Sequence, residues 1–338
     1  METVIAKIRE MEDFYGLSKH EQLVQGISNA IDEGILVKGN SLPSVNNMVD
    51  NLGFARKTIV KAYHELKERG IIQSRKRLGY FVTNDDTQQV LSVALVLYAF
   101  HTFQEIFYNT FRESLGEHVH LDVFFHHNNP TIYQTILDSI EGQYGMYVIA
   151  PVHGSSSRER LRKFSPKKLL LVDRYENVGA DYAHICQEFR QAAYTVFTEL
   201  ASAFRQYEEL VLFYKEGTDY PQGIKTAFDQ FCLKHDFAAR SVGQYKPGIL
   251  RRNTAYITIG DIDLWGLLKD CREEGFELGK DVGILSANDT PVKEIISGGI
   301  STFYVDFEDM AQRAAQYVLD RELVQEILPT RLIRRASL

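Results

Sequence analysis

The 338-residue chain reads as an α/β protein built in two parts. Three observations predict this. Residues 1–84 hold short helix-period stretches followed by two apolar runs around a basic turn. From residue 91 onward, continuous apolar runs of four to eight residues alternate with amphipathic helical stretches. That is the pattern of parallel strands covered on both faces by helices. At roughly 100–200 residues per domain, the length suits two or three domains.

Composition narrows the function classes. No apolar run reaches the ~18 residues of a membrane helix; the longest candidate, Val90–Phe100, is interrupted by Ser92. The first residues, METVIAKIREMEDF, lack the apolar core of a signal peptide. Cys186, Cys232 and Cys271 are odd in number and widely spaced, which argues against a disulfide framework or a zinc cluster. A reduced, cytoplasmic protein without cofactor or metal is expected. The net charge of −7 hides an asymmetry. Residues 1–84 carry twelve Lys/Arg against ten Asp/Glu, and the remainder 26 against 35. Between Arg56 and Arg77, eight basic residues face only Glu65 and Glu68. A basic block in an acidic chain is either a solvated helix face or the footprint of a nucleic acid.

In the first part, Leu23, Ile27 and Ile31 recur at helical spacing, and Gly34 and Gly39 end the pattern. Val45, Met48, Val49 and Leu52 form a second helical set, and Ile59, Ala62, Tyr63 and Leu66 a third. Pro43 precedes the second helix, Ser44 suits its N-cap, and Gly53 separates it from the third. Ile71–Ser74 and Tyr80–Val82 then read as two strands around Arg75-Lys76-Arg77-Leu78-Gly79. Three helices and a hairpin make a winged helix-turn-helix. Its recognition helix would offer Arg56, Lys57 and Thr58 to the major groove, with Lys61 one turn on. Arg75, Lys76, Arg77 and Gly79 would follow the DNA backbone or minor groove. Tyr63 fits the core, with its hydroxyl as a phosphate contact.

The stretch LPSVNNMVDNLGFARKTIVKAYHELKERGIIQSRKRLGYFV, from Leu42, resembles the DNA-binding domain of the GntR family of bacterial transcription regulators. The matching positions are Leu42-Pro43-Ser44, Leu52-Gly53, Arg56, Thr58, Ala62-Tyr63, Leu66, Gly70, Ser74-Arg75, Gly79 and Phe81-Val82. The resemblance implies DNA contacts from Ser44, Arg56, Thr58, Tyr63 and Gly79. Two departures stand out. Asn46 replaces a customary arginine, keeping hydrogen-bonding capacity without charge, and Ala55 replaces a customary serine, losing a cap and a phosphate contact.

Residues 85–90 read as a polar linker and 91–338 as the second part. Its strand candidates are 91–98, 121–125, 146–152, 169–173, 210–214, 255–259, 282–285 and 302–305. Its clearest helices are 103–115, 189–205, 222–235, 264–274 and 310–321. So many strands favour two lobes with a ligand cleft at the C-terminal strand ends.

Several segments resemble the sugar-responsive domain of LacI-type repressors, related to type I periplasmic binding proteins. They are Leu169-Leu170-Leu171-Val172-Asp173-Arg174, Gly260-Asp261-Ile262-Asp263-Leu264-Trp265-Gly266, the run Asp281–Thr290, and Tyr304-Val305-Asp306-Phe307. A GntR-type reader joined to such a sensor resembles arabinose- and L-fucose-type operon repressors. By this resemblance Asn288 takes the place of a sugar-binding Asp, with Asp289 beside it. Gly260 replaces the usual Asn, leaving Asp261 or Asp263 to substitute, and Tyr220 stands where an Arg clamps ring hydroxyls. The loop after the first strand supplies Phe100, His101 and Gln104, and the next loop His126, His127 and Asn128. This set combines aromatics with hydrogen-bonding groups and has no cationic clamp. Asp173 reads equally well as a ligand or as a structural residue. His126-His127 lacks partners at metal-ligand spacing, Gly298-Gly299 reads as a turn, and Arg331, Arg334 and Arg335 as a solvated group or a dimer edge.

The expected protein is a homodimeric repressor of a sugar-utilisation operon. It binds a twofold operator in double-stranded DNA and answers to a small neutral sugar. L-fucose is the first choice, then L-arabinose or another pentose. The competing reading gives the GntR-type reader an enzyme-like module or a sensor of a non-sugar metabolite. No Schiff-base lysine presents itself after a strand, and the repeated β-runs oppose an all-helical acid sensor.

Overall fold

The computed structural model describes residues 2–11, 17–76, 78–83, 91–116, 119–141, 143–218 and 220–338. The chain divides into two compact units, Met1–Val90 and Leu91–Leu338. The proposed linker, 85–90, lies outside the described residues.

Among the described residues, the first unit has four helices rather than three: α1 (Glu2–Glu10), α2 (Lys19–Asp32), α3 (Val45–Leu52) and α4 (Arg56–Glu68). Helix α1 was not anticipated. It buries Val4, Ile5 and Ile8 against α2, where Gly26 permits the approach: a Cβ there would lie 2.6 Å from the Ile8 Cα. Ser18 and Glu21 close a capping box at the start of α2. Ser44 caps α3 by accepting from the Asn47 amide at 3.2 Å, and Gly53 ends it in the left-handed region (φ 65°). Leu23, Ile27, Met48, Ile59, Tyr63 and Leu66 meet in one core. Strands β1 (Ile72–Arg75) and β2 (Gly79–Val82) form an antiparallel hairpin in register from Ile72↔Val82 to Arg75↔Gly79. Ser41 adds a bridge to Phe81.

The second unit holds two six-stranded sheets. The N-lobe sheet contains β3 (Leu91–Leu97), β4 (Val119–Phe125), β5 (Met146–Ile149), β6 (Leu169–Arg174), β7 (Ala183–Gln187) and β13 (Gln325–Leu328), all paired in parallel. Its order is β13-β7-β6-β5-β3-β4. Helices α5 (Thr102–Leu115), α6 (Pro130–Ile140), α7 (Ser155–Leu161) and α13 (Phe307–Asp320) belong to this lobe. The C-lobe sheet contains β8 (Glu209–Phe213), β9 (Ala239–Val242), β10 (Thr254–Thr258), β11 (Val282–Ala287), β12 (Ser301–Tyr304) and β14 (Arg331–Ile333). Its order is β14-β12-β11-β10-β8-β9, with β14 antiparallel to β12. Its helices are α8 (Arg190–Glu199), α9 (Ala201–Phe204), α10 (Gln222–His235), α11 (Asp261–Glu274) and α12 (Pro291–Ile295).

The chain crosses between the lobes three times: after β7, after β12 and after β13. The continuous apolar runs occupy central strands because both faces are covered there: β5 and β11 are buried at every residue. No helix among the described residues is long and apolar enough to cross a membrane.

Candidate functional site

The exposed face of the winged helix is built at the N-terminus of α4. Arg56, Lys57 and Lys61 are exposed there, and Thr58 is half-buried. Ala55 occupies the N-cap without a side-chain hydrogen bond, so the first amides of α4 point outward with the positive end of the helix dipole. Asn46, one helix back, accepts from the Arg56 guanidinium at 2.5 Å. The residue that replaces the customary arginine thus orients the arginine that remains. On the hairpin, Arg75 lies over the Phe81 ring at 4.5 Å, Lys76 is exposed, and Gly79 takes φ 98°. Arg77 lies outside the described residues. Ser44 lends its hydroxyl to the α3 cap. Tyr63 requires a correction. It is fully buried and donates its hydroxyl to the Pro43 carbonyl at 2.6 Å, so it is a core residue with no path to a phosphate.

In the second unit, a cleft of about 460 Å³ opens where the C-terminal strand ends of the two lobes converge. The N-lobe contributes Phe100, His101 and Gln104 after β3, Asp173 and Arg174 at the end of β6, Gln187 at the end of β7, and Glu188 and Phe189 after it. The C-lobe contributes Tyr220 and Pro221, Gly260 to Ile262, Asn288 and Thr290, and Phe303 with Tyr304. Asp173 (φ 65°) and Asn288 (φ 59°) both adopt left-handed backbone at strand ends, a conformation that Asp and Asn tolerate better than most residues. Gln187 donates to Asp173 at 2.5 Å. The Arg174 guanidinium sits 4.0 Å from the Tyr98 ring centre, itself buried. A cation thus lines the cleft, one that the sequence-derived ligand set did not include.

The C-lobe wall has a support that the sequence did not announce. Lys293 on α12 is completely buried. Its ammonium donates to the Ala287 and Asn288 carbonyls at 2.7 and 2.8 Å and pairs with Asp261 at 2.7 Å. Burial pulls its pKa below the usual lysine value, against the opposing charge of Asp261. One side chain therefore joins the loop carrying Asn288 to the first turn of α11.

Three further ligand candidates lie elsewhere. His126 is fully buried; its Nε2 faces the Ala150 carbonyl at 3.1 Å and its Nδ1 accepts from the Asn128 amide. It shapes the loop and does not reach the cleft. Asp289 accepts from both terminal nitrogens of Arg335, at 2.6 and 2.9 Å, and from Thr302. That bond also corrects the reading of Arg335 as a solvated or edge residue: it fastens the C-terminal segment to the C-lobe. Asp263 is 5% exposed and accepts from the Tyr245 amide at 2.7 Å and from the Tyr220 hydroxyl. It stands behind the wall rather than in it, and burial raises its pKa despite those donors. Asn128, from the N-lobe, donates to the Thr218 carbonyl of the C-lobe at 2.8 Å. Among the described residues, no group of three or more His, Cys, Asp or Glu could hold a metal.

Each unit has counterparts among known proteins. Residues 19–82 match the family of bacterial regulatory proteins, gntR family, and residues 181–338 match the periplasmic binding protein-like domain. An HTH-type transcriptional regulator of Mycobacterium tuberculosis is 32% identical over 75 residues, 22% of this chain and 62% of that relative. A LacI family transcriptional regulator from Lactobacillus casei, solved with bound glucose, superposes with a TM-score of 0.60 at 14% identity, covering 73% of this chain and 99% of that one. A LacI family transcriptional regulator from Silicibacter pomeroyi gives 0.61 at 15% identity, covering 73% and 98%. These names are those of regulators, none of an enzyme. The chain joins a gntR-type winged helix to a LacI-like, type I periplasmic-binding-protein-like domain of parallel sheets.

Proposed function

We propose that the chain is a cytoplasmic transcription regulator that represses a sugar-utilisation operon. It acts as a homodimer on a twofold operator and takes a small neutral sugar in the interlobe cleft. L-fucose is the first candidate, and L-arabinose or another pentose the next. One observation carries the reading: a single chain combines an exposed basic helix start on a winged helix with a cleft lined by aromatic rings and by carboxylate and amide groups. Aromatic rings pack on the C–H faces of sugars while carboxylates and amides pair with hydroxyls. The glucose-bound Lactobacillus casei regulator, alike in fold, supports this choice of ligand class.

The proposed reading helix presents Arg56, Lys57, Thr58 and Lys61 to the major groove, with Ser44 and Asn46 beside it and Arg75, Lys76, Arg77 and Gly79 on the wing. The proposed ligand set is Phe100, His101, Gln104, Asp173, Tyr220, Asp261 and Asn288. A sugar bridging both lobes favours one lobe arrangement. It alters operator affinity only through its different affinity for the two arrangements.

The test is a thermal-shift screen of free sugars, followed by operator titration with and without each sugar that binds. A ligand at 100 times its Kd should add about 2.7 kcal/mol of stability. A screen in which no free sugar moves the transition would refute the sugar reading, and one in which only sugars other than pentoses and deoxyhexoses do would refute the choice of L-fucose or L-arabinose.

A further inference from the structure

We propose that Tyr220 sets sugar specificity on the C-lobe wall of the cleft, and that the missing side chain of Gly260 is what seats it there. The inference rests on the sugar reading above. Gly260 begins α11 with extended backbone (φ −96°, ψ 144°), a conformation open to any residue. Its need for glycine is therefore not conformational. A Cβ at this position would lie 2.0 Å from the Tyr220 hydroxyl oxygen and 3.1 Å from the ring carbon bearing it. The end of the tyrosine fills the volume that a side chain at 260 would occupy.

The tyrosine is also fastened. Its hydroxyl donates to Asp263, whose carboxylate is almost fully buried and is held from the other side by the Tyr245 amide. With the hydroxyl proton committed behind the wall, Tyr220 offers the cleft its ring. Tyr220 and Gly260 both line that cleft. An aromatic face packs on a C–H-rich sugar face and gives little to a hydroxyl pointing at it. This wall therefore selects sugars by the stereochemistry of one ring face, and leaves directional hydrogen bonding to Asn288 and Asp261 alongside.

The test is a double-mutant cycle in the full-length chain: Gly260→Ala, Tyr220→Ala, both together, and Tyr220→Phe. Affinity for L-fucose, L-arabinose and D-glucose is read by calorimetry, and the thermal midpoint is read without ligand. Tyr220→Ala and Gly260→Ala should each weaken the best-bound sugar about tenfold or more and narrow its preference over the other two. The double variant should be no weaker than Tyr220→Ala alone, since the added methyl then meets empty space. Tyr220→Phe should stay within a few-fold of the parent. Full additivity in the double variant, an unaffected Gly260→Ala, or a Tyr220→Phe as weak as Tyr220→Ala would overturn the inference. Without sugar, Gly260→Ala should lower the thermal midpoint only when Tyr220 is present; equal lowering in both backgrounds would refute the seating. A parent that binds none of the three sugars, yet passes the ligand-free cycle, would overturn the ligand class and leave Tyr220 a structural residue.

Discussion

Replacing Lys293 by Met tests how the C-lobe wall is held. The substitution keeps most of the volume and removes the ammonium. Breaking a buried ion pair by deleting one partner costs about 3–5 kcal/mol, because the remaining charge is stranded. Here the stranded partner is Asp261, whose side chain is 39% exposed and recovers water, so the full penalty does not apply. The carbonyls of Ala287 and Asn288 lose their charged donor as well, at roughly 1.5–3 kcal/mol for a charge-assisted bond. Relief of lysine desolvation offsets part of the sum. The expected loss is about 2–4 kcal/mol. Trp265, the single tryptophan, lies on α11 four residues from Asp261 and packs against the C-lobe core. Urea unfolding followed by its fluorescence therefore reports the lobe concerned, and chain-wide cooperativity need not be assumed. A Lys293→Met protein less than about 1 kcal/mol below the parent would show that the loops are positioned without the lysine.

Arg56→Ala should leave folding intact and cost about 1–3 kcal/mol of operator affinity, relaxing base preference at one position per half-site; equal discrimination between operator and scrambled DNA by variant and parent would remove Arg56 from the reading helix. Neutralising Arg75 or Lys76 should weaken binding to all sequences alike and lower the salt slope by about one per lost phosphate contact; unchanged slopes would place both in solvent. The pairing of Asp289 with Arg335 predicts a pH signature. Burial opposes the charge on Asp289, but the Arg335 and Thr302 donors outweigh it and hold the pKa below the usual carboxylate value. A lowered folded-state pKa contributes stability above the unfolded value of about 3.9, lost as pH falls through the folded value. Arg335→Met should therefore destabilise the C-lobe most near neutral pH, with the gap from the parent closing below about pH 4. A gap independent of pH would disconnect the pair from stability.

Much of the fold was legible because burial on both faces leaves a strong mark. Leu91–Leu97, Leu169–Arg174 and Val282–Ala287 are strands whose apolar runs need no alternation to be seen. The strands that escaped are short and lie at or near sheet edges. β13 (Gln-Glu-Ile-Leu) and β14 (Arg-Leu-Ile) are defined by their partners rather than by their own three or four residues. Helix α1 did carry a signal, in Val4, Ile5 and Ile8, but its nine residues are too few to stand without α2. In the cleft, strand-end motifs pointed to the right loops, and side-chain direction then divided neighbours. Asn288, with left-handed backbone, lines the cleft, while Asp289 turns away to Arg335. Lys293 was invisible because its burial depends on Asp261, more than thirty residues earlier, and periodicity within one segment carries no trace of that partner.

The cation found in the cleft bears on whether the ligand is neutral. Arg174 alone would favour a phosphate or carboxylate. Its guanidinium, however, rests on the Tyr98 ring and lies 5.7 Å from the Phe189 ring centre, and the same cleft is lined by Glu105, Asp173, Glu188 and Asp261. Two unit charges 4 Å apart interact by about 4 kcal/mol at an effective dielectric of 20. An anion drawn to Arg174 would share the cleft with these carboxylates, of which Asp261 is already paired with Lys293. A neutral polyol escapes the conflict, because its hydroxyls donate to carboxylates and accept from a guanidinium at once. On this ground we propose a free sugar rather than its phosphate ester, an argument that rests on the carboxylates lining the cleft as well as on the absence of a cationic clamp from the sequence-derived set.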